Sequence, residues 1–230
     1  MIPKQLFFIW LGDNKPNYVD FSVRTFKKVN PDFNVTLLHY NINTIENLNQ
    51  SNCKNDFDIC LYNCIQAILY KNKYKSAIKE YLSYKRKFCQ ILCNIYRLEI
   101  LTKFGGIYLD CDTFPNKPFD DFLLNRKHFT AYTYHRFFDT QNRHKDCHFL
   151  GSIGNLYYDN YYKLEDNINT QEIGYLDNLE WNKKRLDFFQ CKLEYKLDID
   201  KNYIEHYYDF TWNPDNCRTP ICKYDKDLYK

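Results

Sequence analysis

The first forty residues constrain the fold more than any other stretch. Gln5 to Trp10 (QLFFIW) is short, apolar and closed by Gly12-Asp13-Asn14, which reads as a buried strand. Pro16 starts a helix with Val19, Val23 and Phe26 at helical spacing through Val29, and Asn30-Pro31-Asp32 stops it. Asn34 to Tyr40 (NVTLLHY) reads as a second strand. Strand, helix and strand in that order form a βαβ unit, which closes as a parallel sheet with a right-handed crossover. The expected class is α/β.

From about Asp56 to Phe104 the periodicity turns helical. Phe57, Cys60, Leu61, Cys64, Ile65 and Ile68 make one apolar stripe; Ile78, Leu82, Phe88, Ile91, Leu92, Ile95, Leu98 and Leu101 make another. Lys71-Asn72-Lys73-Tyr74-Lys75 reads as the polar connection between them. Phe129–Tyr134 and His148–Ile153 read as strands, residues 155–162 as a short helix, and Tyr203–Trp212 as a last strand and turn. Residues 163–200 give no clear pattern. No linker or repeat divides the chain, so residues 1–230 are expected to form one domain with a helical insertion at about 56–104.

The second helix runs into Gly105-Gly106-Ile107-Tyr108-Leu109-Asp110-Cys111-Asp112, an apolar strand that ends in two carboxylates. Residues two apart on a strand share a side, so Asp110 and Asp112 are expected to project together, with Leu109 and Cys111 turned into packing. Two carboxylates side by side repel each other and lose hydration unless a cation accompanies them. Such hard oxygen ligands suit Mg²⁺ or Mn²⁺ and fit Zn²⁺ poorly. An α/β sheet binds ligands beyond the carboxyl ends of its strands, so Trp10-Leu11-Gly12 and the aspartate pair are expected to face one cleft. An aromatic, a flexible glycine and two carboxylates there suit a nucleotide diphosphate. A bare D-x-D is weak by itself, because a turn cap or a pair of surface carboxylates gives the same letters.

Composition excludes several classes. The 32 Lys and Arg stand against 29 Asp and Glu, a net charge of +3, too small to argue for nucleic acid. No apolar run approaches the roughly 20 residues of a spanning helix, which leaves peripheral contact as the way to meet a membrane. The ten cysteines include no C-x-x-C pair and no zinc-like spacing. The chain opens on Met1-Ile2-Pro3-Lys4 and a strand, without the regions of a signal peptide. Reduced thiols in a cytoplasm, bacterial or of a virus-infected host, are the expectation. His39, His128, His135, His144 and His148 follow no ligand spacing.

The run from Arg97 to Asp112 closely resembles the "R-x-x-x-L-x-x-x-G-G-I-Y-x-D-x-D" signature of the DXD-containing glycosyltransferases. Outer-chain mannosyltransferases and capsular-polysaccharide enzymes belong to that family, and the large glucosylating toxins share its catalytic core. Ile2-Pro3-Lys4 through Ile9-Trp10-Leu11-Gly12 is similar to the family's opening "I-P-K-x-I-H-x-I-W-x-G", and Asn30-Pro31-Asp32-Phe33 resembles its "N-P-x-y". His206 through Thr211-Trp212 is similar to its closing "H-x-x-x-x-S-W". The resemblance implies a GT-A fold with a mixed, mainly parallel sheet. It also implies transfer of a sugar from a nucleotide-sugar donor (UDP- or GDP-sugar) to a glycan or other hydroxyl acceptor, usually with retention. Carried over residue by residue, Asp112 should bind the Mn²⁺ or Mg²⁺ directly, and Asp110 should touch the donor or reach the metal through water. His206 or Thr211 should complete the metal and diphosphate site. Trp10 should lie by the nucleotide and Trp212 by the diphosphate, with Leu11, Asn94 and Tyr108 also on the donor side. Arg97, whose fork of donors suits phosphate or sugar, should reach the donor as part of the catalytic set with Asp110 and Asp112.

The departures are local. The family reads "S-D-x-x-R" where this chain has Cys93 and Asn94, and an amide hydrogen-bonds a hydroxyl but is no carboxylate. Phe7 replaces the opening histidine and Thr211 the closing serine. Two alternatives stand beside the transferase: a degenerate relative that binds sugar nucleotide or glycan without turnover, which Asn94 keeps open, and an aspartyl-phosphate phosphatase. The second wants Thr or Val where Phe114 stands.

Overall fold

The computed structural model of the protein describes residues 1–71, 85–134, 143–154, 167–169 and 179–207. The expectations for Ile78, Leu82, the helix at 155–162, Thr211 and Trp212 lie outside the described residues. The chain begins with β1 (Gln5–Leu11), α1 (Asn17–Val29) and β2 (Asn34–Tyr40), and these three keep the bounds read from the sequence to within a residue. Pro16 is the N-cap of α1, so the helix starts one residue after it. Then come a short α2 (Ile42–Asn47) and the long α3 (Asp56–Lys71) and α4 (Lys85–Phe104). The site follows on β3 (Gly106–Leu109) and β4 (Thr113–Pro115). The rest comprises α5 (Asp121–Leu124), β5 (His128–Tyr134), β6 (Arg143–Ser152), β7 (Asn167–Asn169), α6 (Leu179–Phe189) and β8 (Ile204–His206).

Among the described residues six strands form one sheet in the order β2-β1-β3-β6-β5-β7. β1 pairs in parallel with β2 and β3, and β5 pairs in parallel with β7, while β6 runs antiparallel to both β3 and β5. The sheet is thus mixed, with an α/β layering. Among the described residues no helix is long and apolar enough to cross a membrane.

The unbroken apolar run of β1 follows from burial on both faces. Leu6 and Phe8 pack with Tyr18, Val19 and Phe26 of α1, while Phe7 and Ile9 pack with Leu61 of α3 and Leu92 and Tyr96 of α4. All four side chains are at most 4% exposed. Each contributes about 1.5–3 kcal/mol of transfer free energy, so neither helical layer is dispensable. The helices within 56–104 thus cover one face of the sheet. β3 repeats the alternation: Ile107 and Leu109 face the α1 side, and Tyr108 faces the α4 side.

The Gly105-Gly106 pair joins α4 to β3 through two positive-φ residues. Gly105 ends the helix at φ 64°, its N–H bonding Leu101 O at 3.1 Å. Gly106 lies at φ 101°, and a Cβ there would stand 2.7 Å from Gln5 O on the neighbouring strand. The glycines therefore let β3 enter the sheet directly against β1.

α6 falls in the stretch that gave no sequence pattern. Its anchor is Phe188, fully buried, which stacks on Tyr207 at 4.7 Å and 21° and meets Tyr18, Phe21 and Phe114 at 5.7–6.2 Å. Phe189 adds an edge-on contact with Tyr18 at 5.0 Å, and two adjacent aromatics do not write a helical stripe into the sequence.

Candidate active site

The two aspartates do not sit on a strand. β3 ends at Leu109, and Asp110, Cys111 and Asp112 form the turn into β4. Cys111 points inward as expected, with its thiol on Ile9 O at 3.4 Å, and burial pushes that thiol well above its ordinary pKa. The turn is pinned at each step. Thr113 Oγ1 donates to Asp110 O at 2.6 Å, Ser22 Oγ of α1 donates to Thr113 O at 2.8 Å, and Tyr207 N donates to Asp112 O at 2.8 Å. Both carboxylates still leave the turn on one side, because the turn and its clamps replace the strand's parity.

Among the described residues β4 pairs only with β8, in a two-stranded antiparallel ribbon that sets Thr113 opposite His206. That register carries a histidine 94 positions away to the carboxylates. His206 Nε2 lies 3.0 Å from Asp112 Oδ1 and 3.9 Å from Asp110 Oδ2. Asp110, Asp112 and His206 each offer one ligand atom within 4.8 Å of the others. All three are partly buried and partly open. Two carboxylates and one imidazole fit a divalent cation, and three protein ligands leave coordination positions for oxygens of a bound molecule.

Asp110 is held from behind. Its Oδ1 accepts from Tyr108 OH at 2.6 Å and from Arg97 Nη1 at 3.1 Å. Tyr108 is buried, and burial holds its hydroxyl well above the ordinary pKa, so it remains a donor at any working pH. The Arg97 guanidinium lies 4.7 Å over the Tyr108 ring and also donates to Cys93 O at 3.4 Å and to Asn94 Oδ1. Its side chain is only 8% exposed against 28% for Asp110. In the structure both Arg97 and Tyr108 bond the Asp110 carboxylate. Strand parity is the signal for Tyr108, which is two residues from Asp110, but the bond itself is visible only in three dimensions.

Trp10 stands at the end of β1, beside the aspartate turn. Phe8 pairs with Leu109, which puts Trp10 and Asp110 at neighbouring strand ends. Its indole meets Tyr18 edge-on at 6.4 Å and 85°, and among the described residues its Nε1 has no hydrogen-bond partner. Leu11 is half-buried against the α3–α4 side. Asn94 is exposed on α4, one turn before Arg97. The structure therefore brings Asp110, Asp112, His206, Arg97, Tyr108 and Asn94 together, with Trp10 and Leu11 on the adjoining strand end.

Two carboxylates and an imidazole at the strand ends of an α/β sheet form a candidate cation site. The family described as "glycosyltransferase sugar-binding region containing DXD motif" matches residues 16–130, which span α1 to the start of β5 and include Arg97, Asp110 and Asp112. The chain belongs to this family of glycosyltransferases. Family membership and the mixed sheet together give the GT-A class.

Solved structures give distant likenesses. PaToxG glycosyltransferase is 17% identical over 67% of this chain and 56% of its own length, with a TM-score of 0.37. The glycosyltransferase domain from the YGT toxin, in a UDP-bound structure, is 13% identical over 50% of this chain and 40% of its own, with a TM-score of 0.29. The catalytic domain of alpha-toxin from Clostridium novyi is 14% identical over all of this chain and 68% of its own, with a TM-score of 0.39. This chain thus spans little more than half the length of the PaToxG structure it matches. No curated protein matches the sequence.

Proposed function

We propose that this chain transfers a sugar from a UDP- or GDP-sugar to a glycan or other hydroxyl acceptor, with retention at the anomeric carbon. The observation that carries this reading is the Asp110, Asp112 and His206 cluster within 4.8 Å at the open end of the central strands. Those three residues would hold Mn²⁺ or Mg²⁺. When bound, the ion supplies positive charge beside the departing diphosphate.

The chain's own residues orient the reactants. Tyr108 and Arg97 fix Asp110 Oδ1, so the carboxylate turns its other oxygen toward Asp112 and His206. Arg97 is a positioning residue that acts through Asp110 and Asn94. Trp10, with Leu11, lies against the nucleotide, and Asn94 faces the donor sugar. By the family resemblance we also assign Thr211 and Trp212 to the diphosphate. The proposed setting is the cytoplasm, since Cys60, Cys64 and Cys111 are buried free thiols of the kind a reducing compartment keeps. The family match favours neither the phosphatase nor the degenerate alternative.

The test is a screen of UDP- and GDP-sugars with Mn²⁺, reading release of the nucleoside diphosphate and thermal stabilisation. Turnover by the wild-type chain and its loss in Asp112→Ala, at an unchanged melting temperature, are expected. Binding of a nucleotide sugar without turnover on any acceptor would replace the enzyme by a binding protein. Absence of binding to every donor would remove the reading altogether.

A further inference from the structure

Position 94 decides which hydrogen-bonding groups the site shows to a donor sugar. An arginine has only donors, so the oxygen of the Asn94 amide must face Arg97, as it does, with Arg97 Nη2 donating to Asn94 Oδ1. That bond fixes the orientation of the amide. Its nitrogen is left with two N–H donors on an exposed residue, and among the described residues Nδ2 makes no hydrogen bond. Arg97 links this amide directly to Asp110. At position 94 the edge of the site therefore presents neutral N–H groups where an aspartate would add a negative charge.

We infer that the donor sugar carries an acceptor with no hydrogen of its own, a carboxylate or an acetamido carbonyl, where it meets Asn94. This rests on the nucleotide-sugar reading above. A hydroxyl satisfies either an amide or a carboxylate, because it both donates and accepts. A carboxylate or amide carbonyl on the sugar satisfies only the N–H groups. Against a carboxylate at position 94 the same substituent would find no donor and, if charged, would meet like charge. The distinction concerns the class of sugar and is independent of the base of the nucleotide.

The experiment is a competition between matched donors, with Mn²⁺ and the full chain: UDP-glucose against UDP-glucuronate and against UDP-N-acetylglucosamine, and GDP-mannose against GDP-mannuronate. The ratio of kcat/KM values is the readout, since a merely structural role for Asn94 would lower all donors together. The wild type is expected to favour an acceptor-only sugar about tenfold or more, and Asn94→Asp to shift that ratio toward the neutral hexose by about 10- to 100-fold. Asn94→Ala serves if the aspartate variant does not fold, and should bring the ratio close to one. The uronate and acetamido arms separate the two sources of the acceptor. Preference for neutral hexoses, or a ratio unmoved by either variant, overturns the inference while the transferase reading stands. No turnover of any donor defeats that reading, and this inference with it.

Discussion

Asp110 receives two donors on one oxygen, and the two contribute differently. The Tyr108 hydroxyl is short and buried, while Arg97 adds charge. Tyr108→Phe keeps the ring under the guanidinium and removes only the 2.6 Å bond. A hydrogen bond to a charged group is worth about 1.5–3 kcal/mol. The variant should therefore bind Mn²⁺ about tenfold more weakly in a calorimetric titration, with a smaller change in melting temperature than a cavity would cause. His206→Ala should weaken the ion further, because it deletes a proposed ligand outright. An Mn²⁺ affinity unchanged in both variants would break the proposed metal site. At this scale much of the site is legible in the sequence. Arg97, Asp110 and Asp112 lie within sixteen residues of a helix–glycine–strand signature, so local spacing finds them. Which oxygen of Asp110 is held, and that Arg97 bonds it, depends on side-chain packing that spacing does not encode.

The glycine pair and the helical layer are the elements whose failure would reach the site. Gly106→Ala places a Cβ 2.7 Å from Gln5 O at φ 101°, so both backbone strain and overlap oppose it. A loss of about 2–4 kcal/mol, read as a lower denaturant midpoint, is expected. On the other face, burial raises the thiol of Cys60 to about 11, and burial also raises Cys64, Tyr40 and Tyr96. A folded pKa above the unfolded one means that the native state holds its proton longer. The stabilisation is full below the ordinary thiol value of about 8.5 and is lost as pH rises through the folded value. Melting temperatures should hold from pH 7 to 8 and fall between about 9 and 11, and Cys60→Ser should lessen that fall. The elements of this layer are readable from their apolar stripes. Their role as a wall of the sheet is not, because the stripe says only that something covers it.

Across the whole molecule, His206 depends on residues that offer no ligand atom to the proposed ion. β8 has three residues, too few to hold a register alone. Phe188 of α6 stacks on Tyr207, and Tyr207 in turn donates to Glu205 and, through its N–H, to Asp112 O. Phe188→Ala should cost about 3–5 kcal/mol as a core truncation. It should also weaken Mn²⁺ binding, although the residue touches no ligand. Intact ion affinity in a folded Phe188→Ala protein would show that the ribbon keeps its register without the clasp.

The sequence alone determined the βαβ opening and the glycine-led strand, because each is written in contiguous residues whose spacing matches a backbone period, and it marked the aspartate pair by its place after them. Tertiary structure decided the rest. It turned the aspartates out of a tight turn, set Tyr108 and Arg97 behind one oxygen, and brought His206 across 94 positions onto β4. Pairing between distant strands is fixed by the packing of the whole core, so no local stretch of chain carries that information.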